Sequence, residues 1–184
     1  MIDGGKKMNQ RKTTQEMTVM GLMVALLSAS SYIIIPLPFS SASITAQTIV
    51  VNLIGLVLGP FHALLVFVAW ILAGLVGLPV FSGGMGGAAK LFGPTGGYIW
   101  GYLVAAVIIS MFCRKVRNSH MQTLFLILAG IPIIYLMGAV WMKIVTGLPW
   151  LAIMIQAVLP FIPLDIVKCL VAAALAKALR PIIR

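Results

Sequence analysis

Residues 44–58 read ITAQTIVVNLIGLVL, and the number of times this chain crosses a membrane turns on how they are taken. They carry no charge and close on Gly59-Pro60, but fifteen helical residues at about 1.5 Å each cover only ~22 Å of a ~30 Å hydrocarbon core. Length alone leaves them short of a span, so the flanking charges have to decide. Positive residues in short loops gather on the cytoplasmic side. If residues 44–58 cross, Lys6, Lys7, Arg11 and Lys12 share one side with Arg114, Lys115 and Arg117 and with Lys177, Arg180 and Arg184, while Lys90 and Lys143 take the other. If they do not cross, the first two clusters fall on opposite faces. The sorted charges favour an all-α integral membrane protein with six transmembrane helices in one bundle and both termini cytoplasmic.

The other runs lie at 17–35, 61–78, 98–113, 121–142 and 150–179, the last interrupted by Pro160 and Pro163. Residues 1–16 form a basic cytoplasmic arm and 17–184 one membrane domain. The first run is nineteen residues, longer than the roughly 7–15 apolar residues of a signal peptide, and reads as a helix. With 61 % apolar residues, 9 % charged residues and a mean hydropathy of +1.12, the chain cannot solvate a soluble surface, which takes roughly 25 % charged residues. The length suits one bundle and leaves no room for a separate nucleotide-binding domain.

Thirteen basic residues stand against Asp3, Glu16 and Asp165, for a net charge of +10. Such an excess on a soluble protein would point to nucleic acid, but here the charges lie between apolar runs and set orientation. Cys113 and Cys169 stand at opposite ends of their expected helices, which argues against a disulfide or a thiolate metal site. No phosphate-binding G-x-x-x-x-G-K-[ST] occurs, and Gly84-Met85-Gly86 follows a span where a dinucleotide fingerprint needs a strand. His62 and His120 fall far from Asp165, and one buried acid cannot do paired-carboxylate catalysis. Neither an enzyme, a metal site nor a cofactor is expected.

Asp165 is the most informative residue. Ionisable groups inside membrane segments are costly and line sites or pathways, and Asp165 and Lys168 sit three apart on one helical face, offering an acceptor beside a donor. The same pair also suits a helix start after Pro163, with the acid at the positive dipole end. The glycine-rich connection from Gly77 to Gly97, with Ser82 and Lys90 in it, can fold over a ligand or serve as a plain linker. Gln47, Asn52 and Gln156 are polar at membrane depth, as ligand contacts or helix-packing groups. Trp70 lies mid-span and can stack on a ring, whereas Trp100, Trp141 and Trp150 suit an interfacial belt. Gly21, Ala25 and Ala29 recur every four residues, a smooth stripe for packing inside the bundle or for docking a partner.

Three strings, Gly77-Leu78-Pro79-Val80-Phe81, Gly93-Pro94-Thr95-Gly96-Gly97-Tyr98 and Phe161-Ile162-Pro163-x-Asp165-x-x-Lys168, give the chain a resemblance to a known family. From about residue 17 to 177 it resembles the BioY family, the biotin-specific substrate-binding S components of energy-coupling factor transporters. The resemblance implies a multi-pass protein of a prokaryotic cell membrane. It would capture biotin from outside and associate with a transmembrane coupling subunit and two ATPases. It also implies that Ala25 and Ala29 belong to the docking face for the coupling subunit. Asp165 would accept from a ureido N–H and Lys168 donate to the ureido carbonyl. Lys90 would meet the carboxylate, Phe81 and Trp70 would wall the ring and chain, and Gln47, Ser82 and Tyr98 complete the expected ligand set. Relatives place another polar residue where this chain has Ser82. An S component for a different vitamin and a non-catalytic membrane scaffold are the alternatives.

Overall fold

The computed structural model describes residues 3–113, 115–116 and 118–183, with the side chains of residues 13–113, 115–116 and 118–181. Of the basic residues used to orient the chain, Arg114, Arg117 and Arg184 lie outside the described residues, as do the side chains of Lys6, Lys7, Arg11 and Lys12. The chain is largely helical, and each of the six apolar runs is helical over most of its length.

Helix α1 spans Asp3–Ala29, so the basic arm from Asp3 onward continues into the first apolar run as one helix. It stops six residues short of the expected 17–35. Ile33, Ile34 and Ile35 are β-branched and precede Pro36, which disfavours helical backbone at the residue before it. A 3-10 turn, Ser30–Tyr32, leads instead into strand β1 (Ile34–Ile35). This pairs antiparallel with β2 (Ile44–Thr45), Ile34 opposite Thr45 and Ile35 opposite Ile44. The first residues of the 44–58 run are thus extended, and α2 covers only Gln47–Val57. Its residues Thr48, Val50 to Leu56 and Gln47 are buried, so α2 is enclosed by protein, where Gln47, Thr48 and the Asn52 amide N–H donate to other elements.

Helix α3 (Pro60–Leu75) ends before Gly77, which is at φ +99°. The short α4 (Ala88–Phe92) interrupts the glycine-rich connection. Helix α5 (Gly96–Cys113) packs against α2, α3 and α7 (Ile131–Thr146) and forms the spine of the bundle. Helix α6 (Ser119–Phe125) joins α7 through a π turn at Leu126–Gly130. Ile131 N–H reaches back five residues to the Leu126 carbonyl, and Pro132, with no N–H, cannot supply the next four-residue bond. The run continues past the expected 142 to Thr146, where Gly147 at φ +70° ends it and Lys143 donates to the Leu148 carbonyl at 2.7 Å. The last run is α8 (Trp150–Ala157) and α9 (Ile162–Ile183), bent by 46°.

Among the described residues, Gly96–Cys113 and Ser119–Thr146 are long and apolar enough to cross a bilayer, and the bent pair makes a third candidate; α2 and α3 are shorter apolar helices. Leu22, Leu64, Leu72, Leu128, Leu136 and Leu170 point outward, the apolar exterior a lipid-facing bundle needs. The buried core includes Phe67, Trp70, Phe81, Ile109 and Met142. At the C-terminal end of α2, Arg180 donates to the Leu56 carbonyl (3.1 Å) and to Gln122 Oε1 (2.7 Å), tying α9 to α2 and α6.

Gly74 and Gly21 test how closely the helices pack. A Cβ on Gly74 would overlap the Phe81 ring, whereas no atom lies within 4 Å of a Cβ on Gly21. Gly74→Ala is expected to cost about 1–3 kcal/mol by overpacking, and Gly21→Ala to gain about 0.5–1 kcal/mol as a helix-interior replacement. Thermal unfolding in detergent should move in opposite directions for the two.

Candidate ligand-binding pocket

Three helices, α2, α5 and α9, begin around one cavity of about 580 Å³, counting its open mouth. Each contributes side chains from its first turns: Gln47 and Thr48 from α2, Tyr98, Ile99 and Tyr102 from α5, Asp165 and Lys168 from α9. Helix α7 adds Ile134 and Tyr135, the segment entering β2 adds Ala42 and Ser43, and the glycine-rich connection adds Ser82, Lys90 and Thr95. A few polar side chains from the first turns of three helices, set among mostly apolar walls, suit a small ligand with a small number of polar groups.

The break between α8 and α9 shapes one wall. Pro160 has no N–H, so the Gln156 carbonyl loses its helical donor. Ser40 Oγ from the β1–β2 connection donates to it at 2.7 Å, and the Tyr98 hydroxyl donates to the Ala157 carbonyl. Both bonds cross from other elements, so the break is held by protein, as backbone inside a membrane requires. Tyr98 in turn lies against Gly138, where a Cβ would stand 2.5 Å from its ring.

Asp165 is 4 % exposed and accepts from three donors. Lys168 Nζ lies 2.8 Å and Thr48 Oγ1 3.2 Å from Oδ1, and the Tyr135 hydroxyl donates to Oδ2 at 2.6 Å. Lys168 is largely covered, its side chain 12 % exposed. The acid also stands in the first turn of α9, so helix-start and pocket-lining readings describe the same placement. Lys90 is half-buried on α4, and burial lowers its pKa below the ordinary lysine value.

The glycine-rich connection is folded and not a loose tether. Gly83 and Gly84 are at φ +79° and +67°, a turn that returns the chain so that Phe81 and Met85 bond backbone to backbone. Tyr32 donates to the Pro79 carbonyl at 2.9 Å, and Gln47 Nε2 reaches the Val80 carbonyl at 3.4 Å.

Of the residues singled out in sequence, the pocket brings together Asp165, Lys168, Lys90, Ser82, Gln47 and Tyr98. Phe81 and Trp70 are placed elsewhere. Both are fully buried and meet edge to face at 5.0 Å, because Gly74 leaves room for the Phe81 ring, and neither lines the cavity. The aromatic wall is Tyr98, Tyr102 and Phe161 instead. Gly21, Ala25 and Ala29 face outward on α1. Sequence reasoning passed over Thr48, Tyr102 and Tyr135. A phenol in the apolar middle of the run 121–142 was the available signal, since its hydroxyl needs a partner at membrane depth.

The model of the BioY family matches residues 6–184. A probable biotin transporter BioY from Pyrococcus horikoshii is 36 % identical over 166 residues, covering 90 % of this chain and 96 % of that protein. The biotin transporter BioY of Thermotoga maritima is 35 % identical over 160 residues, covering 87 % and 92 %. A crystal structure described as the S-component for biotin from an ECF-type ABC transporter superposes with a TM-score of 0.87 at 28 % identity, covering 93 % of each chain.

The buried pair sets a measurable expectation without ligand. Lys168→Met leaves the Asp165 carboxylate buried without its cation and is expected to destabilise by about 3–5 kcal/mol. Adding Asp165→Asn removes the orphaned charge and should recover part of that loss in thermal unfolding of the detergent-solubilised protein.

Proposed function

The chain belongs to the BioY family, and from that premise we propose that it is a biotin-capturing S component of an ECF-type importer. The observation that carries this reading is the buried Asp165–Lys168 pair, an acceptor beside a donor in one apolar-walled cavity. The ureido ring of biotin presents N–H donors flanking a carbonyl. Asp165 accepts from an N–H and Lys168 donates to the carbonyl, while Gln47, Ser82 and Tyr98 supply further polar contacts. Tyr102, Ile99, Ile134 and Phe161 cover the rings and chain. Phe81 and Trp70 support the glycine-rich connection from beneath.

Charge balance supports the same assignment. Asp165 and Lys168 cancel, so Lys90 gives the cavity one net positive charge, matching a ligand with one carboxylate. Lys90 therefore takes the valerate group nearer the mouth. A ligand without the ureido edge leaves Asp165 and Lys168 facing an apolar surface, which makes the pair selective.

In this reading the chain crosses the plasma membrane of a prokaryote six times, with residues 17–184 as the membrane domain and both termini, including the 1–16 arm, in the cytoplasm. The pocket then opens outward. No nucleotide-binding motif is present in the sequence, so energy comes from two ATPase subunits acting through a transmembrane coupling subunit. The outward stripe Gly21, Ala25 and Ala29 on α1 is the face offered to that subunit. The chain binds and delivers; it does not catalyse.

Calorimetry on the purified chain tests the substrate. Biotin should bind tightly to the wild type, at least about 100-fold more weakly to Asp165→Asn and Lys168→Ala, and other vitamins should give no heat. Binding of a different vitamin in place of biotin would overturn the assignment. The role of Lys90 has its own signature in pH. Its amine attracts a carboxylate only while protonated, so affinity falls as pH rises through its pKa, which burial lowers from the ordinary lysine value. Lys90→Met should bind more weakly at neutral pH and lose the part of the alkaline decline that belongs to this amine.

A further inference from the structure

We propose that Tyr135 and Thr48 are positioning residues that leave their own hydroxyls and the Asp165 carboxylate only acceptors to offer a ligand, and that this makes their side of the pocket select a ligand edge bearing N–H donors. The inference rests on reading the pocket as the biotin site.

A hydroxyl is ambivalent: it has one hydrogen to donate and two lone pairs to accept with. Tyr135 and Thr48 each spend that hydrogen on Asp165, at 2.6 and 3.2 Å. What they leave for a ligand is lone pairs. A carboxylate has about four acceptor directions. Lys168 and Thr48 occupy Oδ1 and Tyr135 occupies one direction on Oδ2, so the direction still open lies on Oδ2, beside the Tyr135 oxygen. Lys168, with three hydrogens and one given to Oδ1, is the remaining donor of this cluster. The arrangement therefore offers acceptors at one place and a cation at the next, the complement of an N–H beside a carbonyl.

The three bonds also hold the carboxylate plane. Thr48 comes from α2, Tyr135 from α7 and the acid from α9, so the group is clamped on both oxygens by separate helices. Without Tyr135, both remaining donors grip Oδ1 alone and Oδ2 is left free to turn. The phenol is largely buried, 8 % exposed.

The test is calorimetry on the full chain in detergent with two probes, biotin and a biotin analogue methylated on the ureido nitrogens, which keeps the carbonyl and the carboxylate but has lost its donors. Tyr135→Phe should weaken biotin about 10- to 100-fold, the range for a hydrogen bond to a charged group. It should weaken the methylated analogue much less, so the ratio of the two affinities narrows. Thr48→Val should narrow the ratio in the same sense and Thr48→Ser, which keeps the hydroxyl, should restore it. Equal losses for both probes would mean that the residues only support the fold, and unchanged ratios would likewise overturn the proposal. A wild type that binds neither probe would overturn the biotin reading itself, and this inference with it.

Discussion

A carboxylate with 4 % of its surface exposed in an apolar bundle is the constraint that the rest of the molecule answers. Burying an isolated charge in a low-dielectric interior is prohibitive, and it persists only where cations and hydrogen-bond donors converge on it. Asp165 draws Lys168 from its own helix, Thr48 from α2 and Tyr135 from α7. Satisfying that one group fixes the relative placement of three helices, which makes the candidate pocket and the structural centre of this end of the bundle the same object. A pocket built in this way has its polar groups assembled without any ligand in place.

The backbone shows the same economy. Where Pro160 removes a donor from the last run, Ser40 and Tyr98 reach in from two other elements to cover the freed carbonyls. Where the glycine-rich connection turns, Tyr32 and Gln47 bond to it. Each irregularity near the pocket is therefore tied to a different part of the chain. Irregular backbone is tolerated at membrane depth when it is enclosed by protein or lines a cavity, and here it does both.

Composition and charge placement made the membrane class legible, and the three-residue spacing of Asp165 and Lys168 made the centre of the pocket legible too. Periodicity could not show where the first helix stops, because Ile33 to Ile35 are as apolar as the helix before them, and only their branching and Pro36 hint at a strand. Nor could it place Phe81 and Trp70. Both are apolar and near the right strings, but the room left by Gly74 decides whether the Phe81 ring faces the cavity or another ring, and a missing side chain leaves no mark in a hydropathy pattern. Tyr135 and Thr48 stayed hidden for a related reason. Their role depends on helices far apart in sequence meeting at one carboxylate, with 117 and 30 positions separating Thr48 and Tyr135 from Asp165.

The π turn at Leu126–Gly130 gives the pocket a dependence on angular phase. An α-helix advances about 100° per residue, and a π turn amounts to one residue inserted into that progression. Everything after it on α7 is rotated accordingly, including Tyr135, five residues beyond its end. A chain that lost one residue here would regain a regular helix and keep its hydropathy, yet its phenol would be turned about a quarter of a revolution away from the acid. The local irregularity thus acts as a phase setting for the face of α7, and insertions or deletions in this stretch are constrained by what the helix must present nine residues after Leu126, although the stretch itself does not line the cavity.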